Sequence, residues 1–126
     1  MLEHLRQQVS AALASAQTVV LSTWGPAGLQ AATLPCQSIE TRLYFTIPRT
    51  SDLLFNIEQQ PEVLITAAAW QLRGRARVLP PGERPGGLAL GRAPMAAWGE
   101  LVELCATQLA ILPASEGSRC ETIDIW

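Results

Sequence analysis

Two short runs of the chain carry residue types that can hold an anion. Arg49-Thr50-Ser51 offers a guanidinium and two hydroxyls directly after Pro48. Arg73, Arg75 and Arg77 recur at every second residue, which puts three guanidinium groups on one side of an extended strand. The arginine row is by default a solvated strand face, otherwise a dimer interface or an anion site, and the first run is a helix cap whose free amides can also meet an anion. Acid–base chemistry is less well provided for. Asp52, Glu58, Glu62 and Glu100 show no paired spacing of the kind a carboxylate dyad needs. No catalytic residue is assigned.

Composition narrows the chemistry further. All nine basic residues are arginine, which removes Schiff-base, P-loop and general-base lysines together. His4 is the single histidine, so histidine triads and multi-histidine metal sites are excluded and no metal is expected. Gly82 to Gly87 is spaced like half of a phosphate loop, but Leu88 follows where Lys-Ser/Thr is required. Cys36, Cys105 and Cys120 are odd in number and form no C-x-x-C pair, which points to a reduced, cytoplasmic protein with cysteines as small apolar fillers. The first 17 residues carry charge and glutamines where a signal peptide has an apolar core, and no run approaches a membrane span. A net charge of −2 argues against nucleic acid as a partner, because three arginines on an acidic protein release few counterions.

The elements that must position these residues are short. Leu2, Leu5, Val9, Ala12, Leu13 and Ala16 recur at helical spacing. Gln17–Thr23 and Leu29–Leu34 form a hairpin around Gly25-Pro26-Ala27-Gly28, with Pro35 at a strand end or edge. Ser38–Thr41 is a connection, and Arg42–Ile47 is the third strand. Thr50 or Ser51 caps a helix whose apolar face is Leu53, Leu54 and Ile57, with Phe55 to the side, and Pro61 stops it. Glu62–Ala69 is an apolar strand. Trp70–Leu79 alternates, with Trp70, Leu72, Gly74, Ala76 and Val78 on one face and the arginines on the other. After the Pro80–Gly87 loop come a short helix at Pro94–Trp98, strands Glu100–Cys105 and Gln108–Leu112 around an Ala106-Thr107 bend, and a last strand Glu121–Trp126. The 126 residues make one mainly β (α+β) domain, a small antiparallel barrel of six to seven strands with two to three short helices.

The order and spacing of certain residues resemble a known family. They are Ala16 to Thr23, Arg42-Leu43-Tyr44-Phe45-Thr46, Pro48-Arg49-Thr50-Ser51, Asn56-Ile57 with Pro61 and Val63, and Gly74-Arg75-Ala76. Together they resemble the pyridoxamine 5′-phosphate oxidase-like, FMN-binding split barrels, clearly over about Ala16 to Val78 and loosely over Leu101 to Trp126. The resemblance implies a split β-barrel homodimer with FMN at the interface. It also implies a flavin-dependent oxidoreductase acting on a small molecule, the flavin carrying the chemistry.

Carried onto this chain, the implied phosphate contacts are Arg49, Thr50 and Ser51, with Arg73 or Arg75 reaching in from either subunit. The implied ring contacts are Thr33, Leu34 and Pro35 on one strand and Phe45, Thr46 and Ile47 on another. The pattern departs from the family at Asp52 and Leu53, where basic residues commonly follow the turn hydroxyl, and at Gln30 and Pro35 on the second strand. Two lost charge-assisted bonds at about 1.5–3 kcal/mol each would weaken FMN by several kcal/mol. Oxidation of pyridoxamine phosphate itself is not expected, because the chain lacks the lysine, histidine and extra arginines that a substrate phosphate asks for. The alternative is a non-catalytic split-barrel dimer that has lost FMN or binds another ligand.

Overall fold

The structure is a computed structural model and describes residues 2–88, 99–111 and 121–124. The chain opens with α1 (Leu2–Ala14), then runs through β1 (Thr18–Thr23), β2 (Gln30–Pro35), β3 (Gln37–Ile39) and β4 (Arg42–Pro48). After α2 (Asp52–Gln59) come β5 (Glu62–Thr66), β6 (Trp70–Val78), β7 (Gly99–Ile111) and β8 (Glu121–Asp124). All pairings are antiparallel, in the order β2-β1-β5-β6-β7-β4-β3, with β8 also on β7. The two ends of that order, β2 and β3, are joined by Cys36 alone, whose N–H donates to the Gln17 carbonyl at 2.9 Å. The sheet must therefore curl back on itself. It is a split β-barrel.

Alternation fills the interior. Val19, Leu21, Leu43, Phe45, Ile47, Ile65, Leu72, Leu104 and Leu109 all point inward and are buried. Each large apolar side chain taken fully out of water contributes about 1.5–3 kcal/mol. Helix α1 adds Val9 and Leu13 to this core, and the Trp70 indole N–H donates to its Ala12 carbonyl at 3.1 Å. Helix α2 buries Leu53, Leu54, Asn56 and Ile57 while Phe55 faces out, as the apolar spacing requires. It touches β1, β2, β4 and β6.

Three sequence expectations change. The Ser38–Thr41 connection holds β3, because Glu40 takes a positive φ of 55° and turns the chain within two residues. The Glu62–Ala69 strand stops at Thr66, where Ala67 N–H donates to the Trp70 carbonyl and closes a tight turn. The bend at Ala106-Thr107 does not divide two strands. Strand β7 runs through it unbroken, with Thr107 as the extra residue of a bulge opposite Arg73 and Gly74. With β3 gained and two expected strands merged into β7, the described residues form eight strands, in the antiparallel split barrel expected. The proposed Pro94–Trp98 helix lies outside the described residues, as does the end of the last strand beyond Asp124.

Candidate functional site

The barrel is split at β4. On one side β4 pairs with β7 from Arg42 to Pro48. On the other, β3 pairs only with Arg42, Leu43 and Tyr44. Among the described residues no strand takes the remaining edge, Phe45 to Pro48, although β2 approaches β4 without pairing. Phe45 and Ile47 are fully buried in the core, so only their backbone groups can serve a ligand there, while Thr46 is half-buried. On β2, Thr33 and Pro35 are exposed and Leu34 turns toward the core. An unsatisfied strand edge beside an exposed face is a place for a planar heterocycle with donors and acceptors on its rim.

The turn at the end of this edge is already self-satisfied. Ser51 is the N-cap of α2, and its Oγ accepts from Leu53 N–H at 3.1 Å while keeping its own proton to donate. The Arg49 Nε donates to Glu100 Oε1 at 2.9 Å. Thr50 is exposed. Exposed Asp52 occupies the first turn, where its charge suits the helix dipole and opposes an incoming anion. Leu53 is buried against the core, so that position could not present a basic side chain to a phosphate in this fold. The turn thus offers the Thr50 and Ser51 hydroxyls and the helix amides, while its guanidinium, Arg49, is paired with Glu100.

Arg73 and Arg75 lie elsewhere, on the outer face of β6. With Trp24, Glu62, Thr107 and Gln108 they line an open cleft of about 420 Å³ over β5, β6 and β7. The bulge shapes it. A Cβ on Gly74 would stand 2.6 Å from the Cys105 carbonyl oxygen, so the close approach of β7 requires glycine, and Thr107 Oγ1 donates to the Arg73 carbonyl at 3.1 Å. Trp24 stands at the end of β1 and is 39% exposed. The loop after it is tied to α2 by buried Asn56, which accepts from Ala27 N–H and donates to the Gly28 carbonyl and to Thr23 Oγ1. Sequence reading used Asn56 only among the residues that carry the family resemblance and gave it no contact.

A second group escaped the sequence altogether. Glu103, on β7, is buried, accepting from the Tyr44 hydroxyl at 2.9 Å and from Arg42 and Arg77 at 3.3 Å each. Burial alone would raise its pKa, but the tyrosine bond and the two guanidinium groups outweigh that and hold it below the ordinary carboxylate range. The Tyr44 hydroxyl is pushed up to about 12, by burial first and by its bond to Glu103 second. Burial also raises the Cys105 thiol beside this group. Alternation alone puts Glu103 opposite Tyr44 and Arg77 only if the register is known, which the sequence does not supply.

No protein-family model and no curated protein sequence matches the chain. Solved structures do. General stress protein 26 of Bacillus anthracis is 17% identical with a TM-score of 0.64, over 96% of this chain and 98% of that one. A Clostridium acetobutylicum protein of the pyridoxinephosphate oxidase family, related to general stress protein 26 of Bacillus subtilis, is 11% identical with a TM-score of 0.69, over 98% and 96%. A pyridoxamine 5′-phosphate oxidase-related, FMN binding protein of Nostoc punctiforme is 14% identical with a TM-score of 0.55, over 98% and 94%. The fold is the one these pyridoxamine 5′-phosphate oxidase-like proteins share, in agreement with the resemblance seen in the sequence. No helix among the described residues is long and apolar enough to cross a membrane.

Proposed function

We propose that the chain is a cytoplasmic, FMN-binding split-barrel protein that works as a homodimer and as a flavin-dependent oxidoreductase on a small molecule. The observation that carries this reading is the edge of β4 from Phe45 to Pro48, unpaired among the described residues, with exposed Thr33 and Pro35 on β2, which approaches β4. Shared fold with the Nostoc FMN binding protein supports it. Bound flavin would supply the redox chemistry. The chain's own part is to bind and orient: β4 backbone groups at the ring, the Ser51 hydroxyl and α2 amides at the phosphate, and Arg49 once it exchanges Glu100 for the ligand. A second subunit would close the exposed side of β2 and exclude water from the ring.

Purified protein tests this directly. A yellow preparation whose chromophore is released as FMN on denaturation supports it; colourless protein with no thermal shift in added FMN overturns it. Asp52→Arg exchanges a repelling charge for an attracting one at an exposed position, and FMN affinity should rise about tenfold. An unchanged affinity would remove the turn as the phosphate site. The Arg49–Glu100 pair and Asp52 favour a second reading, a non-catalytic split barrel that has lost FMN or takes another ligand. That reading predicts colourless protein whose affinity for FMN appears only in the Asp52→Arg variant.

A further inference from the structure

The site proposed at the β4 edge makes no use of the cleft over β5, β6 and β7. Residues two apart on a strand point the same way, with Cα atoms roughly 6.5–7 Å apart, so the two guanidinium forks can close on one anion. Both side chains are exposed, and among the described residues neither joins an ion pair, although Arg42, Arg49 and Arg77 have each found a carboxylate. Glu62 stands opposite Arg75 in the β5–β6 register and still forms no bridge with it, which leaves the cleft one net positive charge. A large indole, Trp24, is held at its wall by the loop that Asn56 anchors. The volume of about 420 Å³ falls within the usual range of roughly 300–1,000 Å³ for small-molecule sites.

We propose that this cleft binds a small planar aromatic anion, its ring against Trp24 and its carboxylate or phosphate between Arg73 and Arg75. Stacking on the indole supplies shape selection, and the paired guanidinium groups supply charge and direction. The anion belongs to an aromatic molecule separate from the flavin, and the site stands whether or not the β4 edge takes FMN.

Phenyl phosphate is the probe, titrated calorimetrically into the whole protein. Saturable binding is expected, weakened at least tenfold by Arg73→Ala with Arg75→Ala. Trp24→Ala should weaken phenyl phosphate several-fold and leave inorganic phosphate unchanged. No saturable binding to the native protein, or equal binding to the double variant, overturns the site. So does a double variant whose mass by sedimentation falls by half, since the cleft would then be an interface between copies. FMN titration in parallel separates the two proposals: phenyl phosphate binding to protein that ignores FMN sinks only the flavin reading. Where both bind, simultaneous binding supports the separate site, and displacement by FMN overturns it by returning Arg73 and Arg75 to the flavin.

Discussion

Arg77 and the Arg73–Arg75 pair share one face of one strand, yet their surroundings are opposite. Arg77 donates to buried Glu103 and lies 3.6 Å from Glu83. Arg73 and Arg75 border an open cleft and have no carboxylate partner among the described residues. The difference comes from β7. Before the bulge it places Glu103 opposite Arg77 and Cys105 opposite Arg75; after it, Gln108 stands opposite Arg73. The same residue type at the same spacing is structural where β7 carries an acid and available where β7 does not, Glu62 on β5 standing opposite Arg75 without bridging to it.

Disturbing the bulge should have the largest effect, because the bulge is what separates the two regions. Gly74→Ala sets a Cβ 2.6 Å from a backbone oxygen that cannot swing aside as a side chain would. A loss of about 3 kcal/mol is expected, at the upper end of overpacking costs, read from the urea midpoint. Full stability in this variant would mean that β7 can slide, and the contrast between the regions would lose its cause.

The paired region comes next. Glu103→Ala leaves the buried Tyr44 hydroxyl without an acceptor while the half-exposed guanidinium groups turn to water, so the expected loss is about 2–3 kcal/mol. The folded protein holds Glu103 below its unfolded value. Its contribution is therefore complete above that unfolded value and is lost as pH falls through the folded one. Glu103→Gln should flatten this acid limb in urea titrations at successive pH. At the other end, Tyr44 keeps its proton to about pH 12 in the fold, so its stabilisation is present below the usual tyrosine value of 10.0 and lost as pH rises between the two. The chain has a single tyrosine, so tyrosinate absorbance reads this residue alone. Ionisation in the folded protein at the ordinary tyrosine value would break the network. Tyr44→Phe should remove the alkaline limb at a cost of about 1–2 kcal/mol.

These two regions also show what a sequence can and cannot carry. Strict alternation from Trp70 to Val78 announced β6 and put its arginines on the outer face, because a strand's period of two is visible without any partner. Ser51 announced the start of α2 for the same local reason. Which β7 residue meets which arginine depends on register, and one extra residue, Thr107, shifts that register invisibly. Hence Glu103 passed unnoticed, and the bulge passed for a bend. The proposed flavin site divides in the same way. Thr33, Pro35 and the Ser51 turn were recognisable as pieces. The burial of Leu53, the bond from Arg49 to Glu100 and the free edge of β4 arise only when strands from distant parts of the chain meet.

The smallest effect is expected in the unpaired region. Arg73→Ala and Arg75→Ala remove exposed side chains that hold no carboxylate, so each should change stability by less than about 0.5 kcal/mol. Arg77→Ala, on the same face, should cost about 1 kcal/mol, limited because its guanidinium is 56% exposed and screened while Glu103 keeps Arg42 and Tyr44. The ordering matters more than either figure. Two adjacent like charges that no carboxylate bridges repel one another, so shortening either can even raise the urea midpoint slightly, Arg73 more readily than Arg75, which has Glu62 opposite it. A protein that retains such a pair at no gain to its fold has it available for a ligand. If either substitution instead costs as much as Arg77→Ala, the pair serves the sheet, and the distinction between a structural and a binding arginine on β6 fails.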